Sequence, residues 1–396
     1  MYLKSIPAVV LLAVAIVGPV AAARGEGRRR EVEPGEDYRR AVNRLQPGDE
    51  LVFLPGVHER AVILDLAGEP DRPITLRGRL DDQGRPPIVQ FTGRGHNLWR
   101  LRGRHIVIRD LELHATNAYA IRVDRADHVR IENCTFRDCG GGDLSANTAD
   151  VHALHVFGCT FTGSRSTPVY IGNHDGNLAV TDFRFEGNVI DGRQVESGIG
   201  YGIQLKLNVT GGVIRNNWIT HTRGPGIMVY GAADDDPALG NLVEGNVVVG
   251  ARNNPGIVVG GGPARVRENL VLGNLAGGIS VMDYGGRDLL RNIEVRGNTA
   301  AGNERFDLSF TGRLQKLDAE ANVARSRPGA AGIRGPRDVA ASNRDQAAPA
   351  ALLVRIDHLL EAPVDMQRYS AAAADLPEGP LGADALADWL DELLLP

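Results

Sequence analysis

The chain is short of several things that usually mark a fold or a function. It holds 3 cysteines in 396 residues, which excludes a disulfide-stapled miniature and leaves at least one thiol unpaired. Lysine is scarcer still. Of 44 basic residues only Lys4, Lys206 and Lys316 are lysines, the rest being arginine, so any lysine inside the folded body is worth following. A positive field is missing too: the net charge is −5 and the pI about 6.1. No global attraction for nucleic acid is expected, and an acidic polymer would have to find a local basic patch. Aromatics are few (9 Phe, 8 Tyr, 3 Trp). Past the N-terminus no apolar run is long enough to cross a bilayer.

Glycine is what the chain has in excess. Its 49 glycines lie above average usage, yet without a collagen period and beside an ordinary apolar fraction, which excludes a disordered chain and a collagen. The N-terminus is distinctive: Lys4, an apolar run from Ile6 to Val20, then Ala21, Ala22 and Ala23 before Arg24. That order of charge, apolar stretch and small residues describes a secretory signal over residues 1–23. The mature chain is expected in the periplasm or outside the cell, with no integral span after cleavage.

One phrase recurs along the middle of the chain: apolar, polar, small or polar, Asn or Cys, apolar or Thr, apolar. Its fourth position is Leu111, Cys134, Cys159, Asn188, Asn217, Asn246, Asn269 and Asn298 in turn, at spacings of 23, 25, 29, 29, 29, 23 and 29 residues. A second phrase keeps step with it, including Ile121-Arg122-Val123, Val169-Tyr170-Ile171, Ile203-Gln204-Leu205, Ile227-Met228-Val229 and Ile279-Ser280-Val281, often introduced by glycine. Short alternating strands at periods of 20 to 30, with no amphipathic helix between them, indicate a β-solenoid. The fold class expected is all-β, a single-stranded right-handed parallel β-helix with an N-terminal helical cap and a C-terminal wrap and helix. The asparagine column reads as a hydrogen-bonded ladder running up the stack. Cys134 and Cys159 continue it, either as buried small hydrophobes or as a bonded pair, and Cys139 is left over.

The organisation expected is a cap with the first strand over 24–60, coils over 61–310, and a wrap with a terminal helix over 311–396. Glu36 to Leu45 reads as a short helix. The repeat phrase stops after Phe310, and a final amphipathic helix runs from Asp384, as N-cap, to Leu394.

The opening helix, Pro47-Gly48-Asp49, Pro55-Gly56 and Pro73-Ile74-Thr75-Leu76 resemble the pectate-lyase-like superfamily over roughly residues 34–310, nearest its chondroitinase-B/alginate-lyase branch and the related polyuronate epimerases. Gly202-Ile203-Gln204-Leu205-Lys206, followed by Ile214-Arg215-Asn216-Asn217, is similar to the catalytic-lysine coil of that branch. The resemblance implies a lysine base, an assisting arginine from the next coil and calcium held by acidic residues just upstream. Here Ile199 and Tyr201 stand at the acidic positions, Glu196 is the nearest carboxylate, and the next coil offers Met228 and Tyr230 instead of arginine. Calcium is therefore not assigned, and no metal site is named.

Alternation sends Ile203 and Leu205 inward, so Gln204 and Lys206 point outward. The same register gives an outward column through Arg122, Ser145, Tyr170, Gln204, Met228, Val258 and Ser280, flanked by Asp124, Asn147, Gly172, Lys206, Tyr230, Gly260 and Met282. Such a face suits a shallow groove for an acidic polysaccharide, with Tyr170 and Tyr230 as stacking platforms. Lys206 is the expected base, with His221 or Tyr230 as proton donor and Arg223 neutralising the carboxylate. Arg122, Tyr170, Asn173, His174, Asp175 and Gln204 are the expected substrate contacts. The function expected is lyase-type β-elimination on a uronate polymer. C5-epimerisation shares its first step, and a glycan-binding protein without catalysis is the alternative from another class. Asp234-Asp235-Asp236 reads as a solvated loop and Gly260-Gly261-Gly262-Pro263 as a tight coil turn.

Overall fold

The computed structural model describes residues 27–394, apart from 194–199, 233, 234, 285, 288 and 364. The signal segment, Glu196, Ile199 and Asp234 lie outside the described residues. The described coils are built from strands, most of them short, that pair in parallel with counterparts one coil on and lie on three faces. The winding is right-handed. The strands Val169–Ile171, Ile203–Leu205, Ile227–Val229, Ile257–Val259 and Ile279–Val281 form face 1. Arg184–Glu186, Val213–Arg215 and Asn241–Glu244 belong to face 2. Face 3 is a separate sheet of twelve strands, one per coil, that includes Val189–Asp191, Trp218–Thr220 and Val247–Val249.

Inward positions on the three faces are mostly apolar and buried; Ile203, Leu205, Ile214 and Ile219 of one coil have no exposure. A single coil could not shelter them, whereas stacking at ~4.8 Å makes one continuous core. Gly202 marks a close approach. A Cβ there would lie 2.5 Å from the Gly226 carbonyl oxygen and 2.8 Å from Ile219 Cγ2, so the strand entry admits only glycine.

The asparagine column is a ladder in the corner between faces 2 and 3. The side-chain amide of Asn217 donates to Asn246 at 2.8 Å and accepts from Asn188 at 3.1 Å, and the run continues through Asn269 and Asn298. It extends beyond the expected end, to Asn322 and Asn343. Strands Gln315–Glu320, Val323–Ser326, Ala331–Arg334 and Arg344–Ala347 also continue the stack. The loss of pattern after Phe310 is therefore only in the wording of the repeat: charged and small residues take outward positions while the pairing persists. Cys134 and Cys159 are free and buried. Their thiols fill ladder positions, and burial pushes that of Cys134 up.

The caps differ from expectation in detail. Helix α1 spans only Arg39–Val42, the rest of the expected segment being turns. Tyr38 at its entry is fully buried, donates to the Arg60 carbonyl at 2.7 Å and accepts from Trp99 Nε1, closing the N-terminal end. After a short helix α2 (Arg337–Ala341), three helices α3 (Ala350–Glu361), α4 (Met366–Ala374) and α5 (Ala383–Leu394) lie on the outside of face 3. Asp384 falls within the first turn of α5, which begins at Ala383, so it is not the cap. Face 3 explains why helices dock there. Its outward residues Trp218, Val247, Val249, Leu270 and Leu272 are apolar, and they meet Leu352, Ile356, Tyr369, Leu386 and Leu390 in one cluster. The Trp218 and Tyr369 rings stack at 4.1 Å. No described helix is long and apolar enough to cross a membrane.

Candidate active site

Register places the expected column on face 1. Arg122 pairs with Ser145, Ser145 with Tyr170, Tyr170 with Gln204, Gln204 with Met228, Met228 with Val258 and Val258 with Ser280. Lys206 follows the strand end, its amide donating to the Ile171 carbonyl below, while the Tyr230 amide donates to Leu205 from above. Tyr230 thus sits one coil above Lys206, and Gly172 one coil below. The stacking repeat brings the ammonium group over the Tyr230 ring, 4.1 Å from its centroid, and within 5.6 Å of the Tyr170 ring.

The upper part of this face is not the open groove expected. Lys206 keeps 7 % exposure, Gln204 3 % and Tyr230 6 %, and Met228 and Val258 have none. Tyr201, Leu207, Met282 and Tyr284 cover it. The Tyr201 and Tyr284 hydroxyls bond each other at 2.9 Å, Gln204 Nε2 donates to the Tyr230 hydroxyl at 3.3 Å, and the Tyr230 and Tyr284 rings meet edge to face. Gly260 makes room for this cover, since a Cβ there would press on Tyr284 and Met228 at 3.0 Å. Towards the N-terminal coils the face opens: Tyr119, Arg122 and Tyr170 are half-buried. Ser145 Oγ and Asn147 Oδ1, in the two columns between them, have no partner among the described residues.

Charge at the site comes from two directions. Arg287, in the connection that carries Tyr284, donates to His174 at its carbonyl (3.2 Å) and at Nε2 (2.9 Å). Burial, and secondarily the charge of Arg287, holds the Lys206 ammonium below its ordinary range. Burial pushes the Tyr230 phenol up, so it stays protonated. Asp175, Leu207 and Arg287 line an adjoining cleft of about 350 Å³. At the open end Arg100, Arg102 and Arg122 converge on the single carboxylate of Asp124, at 2.6, 3.3 and 3.6 Å. Three cations around one anion leave a local positive excess on a chain whose total charge is negative.

The expected set is therefore split. Lys206, Tyr230, Tyr170 and Gln204 come together, with His174 and Asp175 at the edge, while Arg122 lies three coils below Gln204 on the same column. Asn173 is used by its own turn, bonding the Gly176 amide at 2.9 Å and the Asn177 side chain. His221 and Arg223 are not at the site. They follow the face 3 strand Trp218–Thr220, at a different corner of the coil, where His221 Nε2 meets the Leu360 carbonyl of α3 at 3.0 Å. Burial, helped by the Arg193 charge, lowers the His221 imidazole to about 4. It is a neutral packing residue under the helices. Arg287, Tyr201 and Tyr284 are the groups sequence reasoning missed. The one available signal was length: residues 282–290 make a longer excursion than Gly260–Pro263 in the preceding coil.

The calcium position implied by the family resemblance does not fit the residues described. Tyr201 offers a phenol committed to Tyr284, where calcium asks for carboxylate or carbonyl oxygens.

Comparison with known proteins gives a family and several distant folds. The chain matches the family model described as right handed beta helix region over residues 99–185 and 119–300. No curated protein matches it. Among solved structures, an alginate lyase from Paenibacillus sp. str. FPU-7 aligns at 16 % identity and TM-score 0.45, covering 81 % of this chain and 98 % of that one. A PL6 family polysaccharide lyase from Pseudopedobacter saltans aligns at 13 % and 0.49, covering 90 % and 98 %. A mannuronic acid specific family 6 lyase from human gut microbiota aligns at 14 % and 0.47, covering 92 % and 99 %.

Proposed function

Because the chain belongs to the right-handed β-helix family, its function has to be argued from its site, and we propose that it is an exported enzyme acting on a uronate-containing polysaccharide by β-elimination. The observation that carries this reading is the placement of Lys206. It is the one lysine on face 1, Lys316 lying on the face 2 strand Gln315–Glu320, and it is enclosed by Tyr170 and Tyr230 and kept toward its neutral amine by burial and Arg287. A neutral amine can take the proton next to a uronate carboxyl, and a base tuned toward working pH does so best.

The remaining roles are assigned to the groups the fold gathers around Lys206. Arg287 replaces Arg223 as the cation that neutralises the substrate carboxylate and the enolate-like charge formed on proton removal. Of the two expected donors to the leaving oxygen, Tyr230, protonated and beside Lys206, is kept and His221 set aside. Gln204 orients Tyr230 through its hydroxyl. Tyr170 is the stacking platform at the mouth, and Arg122 with Arg100 receives a carboxylate further down the polymer. No step is routed through calcium.

The test is incubation of the mature chain with alginate, pectate and glycosaminoglycans while ultraviolet absorbance follows new unsaturated ends. Signal with one of them, abolished in Lys206→Ala, is expected. Exchange of the C5 proton in deuterated water without unsaturated product would replace elimination by epimerisation. Glycan binding with neither signal would leave a binding protein, a reading favoured by the small exposure of Lys206.

A further inference from the structure

A second cluster lies at the corner between faces 1 and 2 of the N-terminal coils. There the strand Tyr119–Glu132 runs from face 1 into face 2, as does Trp99–Arg109 below, and Val151–Phe157 pairs with its second half above. Register puts Arg104, Asp127, His152 and Thr181 in one column. The next position of each coil is the bend itself, and it is left-handed four times over: His105, His128, Ala153 and Asp182 have φ between 50° and 54°, or 49° for His105. Non-glycine residues rarely accept that conformation. Repeating it in register stacks their side chains outside the core.

His105 and His128 of that column, with His152 of the column beside it, make a run of imidazoles. The His105 and His128 rings lie 4.9 Å apart at 33°, and the His128 and His152 rings 5.3 Å apart. Asp127, His128 and His152 each bring a donor atom to within 4.8 Å of the other two. It is the one such group among the described residues. Thr181 engages His152 through Nδ1 at 2.8 Å, which leaves its Nε2 for a ligand. His128 Nδ1 is bonded to Asp127 at 2.6 Å, a contact an ion would replace. His105 and His128 also line a cleft of about 170 Å³, so solvent reaches the donors.

We propose that this corner binds a borderline divalent transition-metal ion, Zn²⁺ being the natural occupant, through His128, His152 and Asp127. Two imidazoles and one carboxylate suit zinc, nickel or copper and not calcium, which prefers an all-oxygen shell. The donors come from two successive coils, so the ion would tie those coils together. Its binding is independent of the reaction at Lys206, which lies on later coils.

The experiment is calorimetric titration of tag-free mature protein, stripped with chelator, with Zn²⁺ and separately with Ca²⁺. About one equivalent of Zn²⁺ is expected, with a higher melting temperature in its presence and no response to Ca²⁺. His128→Ala and His152→Ala should each weaken binding by more than about tenfold. Circular dichroism checks that these surface variants stay folded, and in them Zn²⁺ should no longer raise the melting temperature. Zn²⁺ binding that survives unchanged in the folded double variant, or no binding by the wild-type chain, would overturn the proposal.

Discussion

Two corners of the same coil make opposite use of repetition. At one, Asn217 has an identical neighbour above, Asn246, and below, Asn188, and each amide satisfies the next. At the other, Lys206 has Tyr230 above and Gly172 below, and no coil repeats it. A repeated residue can satisfy itself and so serves the stack. A unique one needs different neighbours, and the loop carrying Tyr284 and Arg287 folds over to supply them. Repetition marks scaffold, and the proposed chemistry is placed where the column departs from it.

Substitutions can break that contrast. Lys206→Ala is expected to lower turnover by roughly two to four orders of magnitude while leaving the melting temperature nearly unchanged. In the wild type the limb due to this amine should lie below the ordinary lysine value of 10.5 in a pH–rate profile. Arg287→Gln should cost about a hundredfold in turnover, measured under the same assay, and should move the Lys206 limb upward as a like charge leaves. Asn217→Ala should do the reverse, destabilising the fold by on the order of 3 kcal/mol in denaturant titration because buried partners lose their bonds, with turnover of the folded fraction kept.

Smaller effects separate the remaining groups. Asp307 closes a second ladder, accepting from the Asn303 amide at 2.7 Å, and burial raises its carboxyl from 3.8 to about 7. The folded state then holds the proton more tightly than the unfolded one. The stability due to this group is present below about 4 and is lost as pH rises towards 7. Asp307→Asn should flatten that part of a melting-temperature profile. His221→Gln should change turnover least, by less than about twofold, because its ring meets Leu360 and not the site; a large loss of activity would return it to the mechanism.

The spacing of Asn188 to Asn298 was enough to establish a β-helix, its register and the outward column, because a solenoid makes each residue's neighbours those one period away. The same rule makes Tyr230 a neighbour of Lys206. It could not reach Arg287 or Tyr284, whose connection leaves the periodic path and returns through side-chain packing. Nor could it separate His221 from Lys206: they are close along the chain, yet a coil turns two corners between them. The continuation past Phe310 was hidden as well, since backbone pairing persisted after the residue pattern had faded.

Sequence alone therefore determined what recurs, the ladder and the inward apolar positions, since periodic burial writes itself into periodic residues. Whether an outward residue is open or covered was decided only in three dimensions. The cover over Lys206 and the helices over Trp218 come from segments outside the repeat, and their docking depends on surfaces that exist only once the coils have stacked.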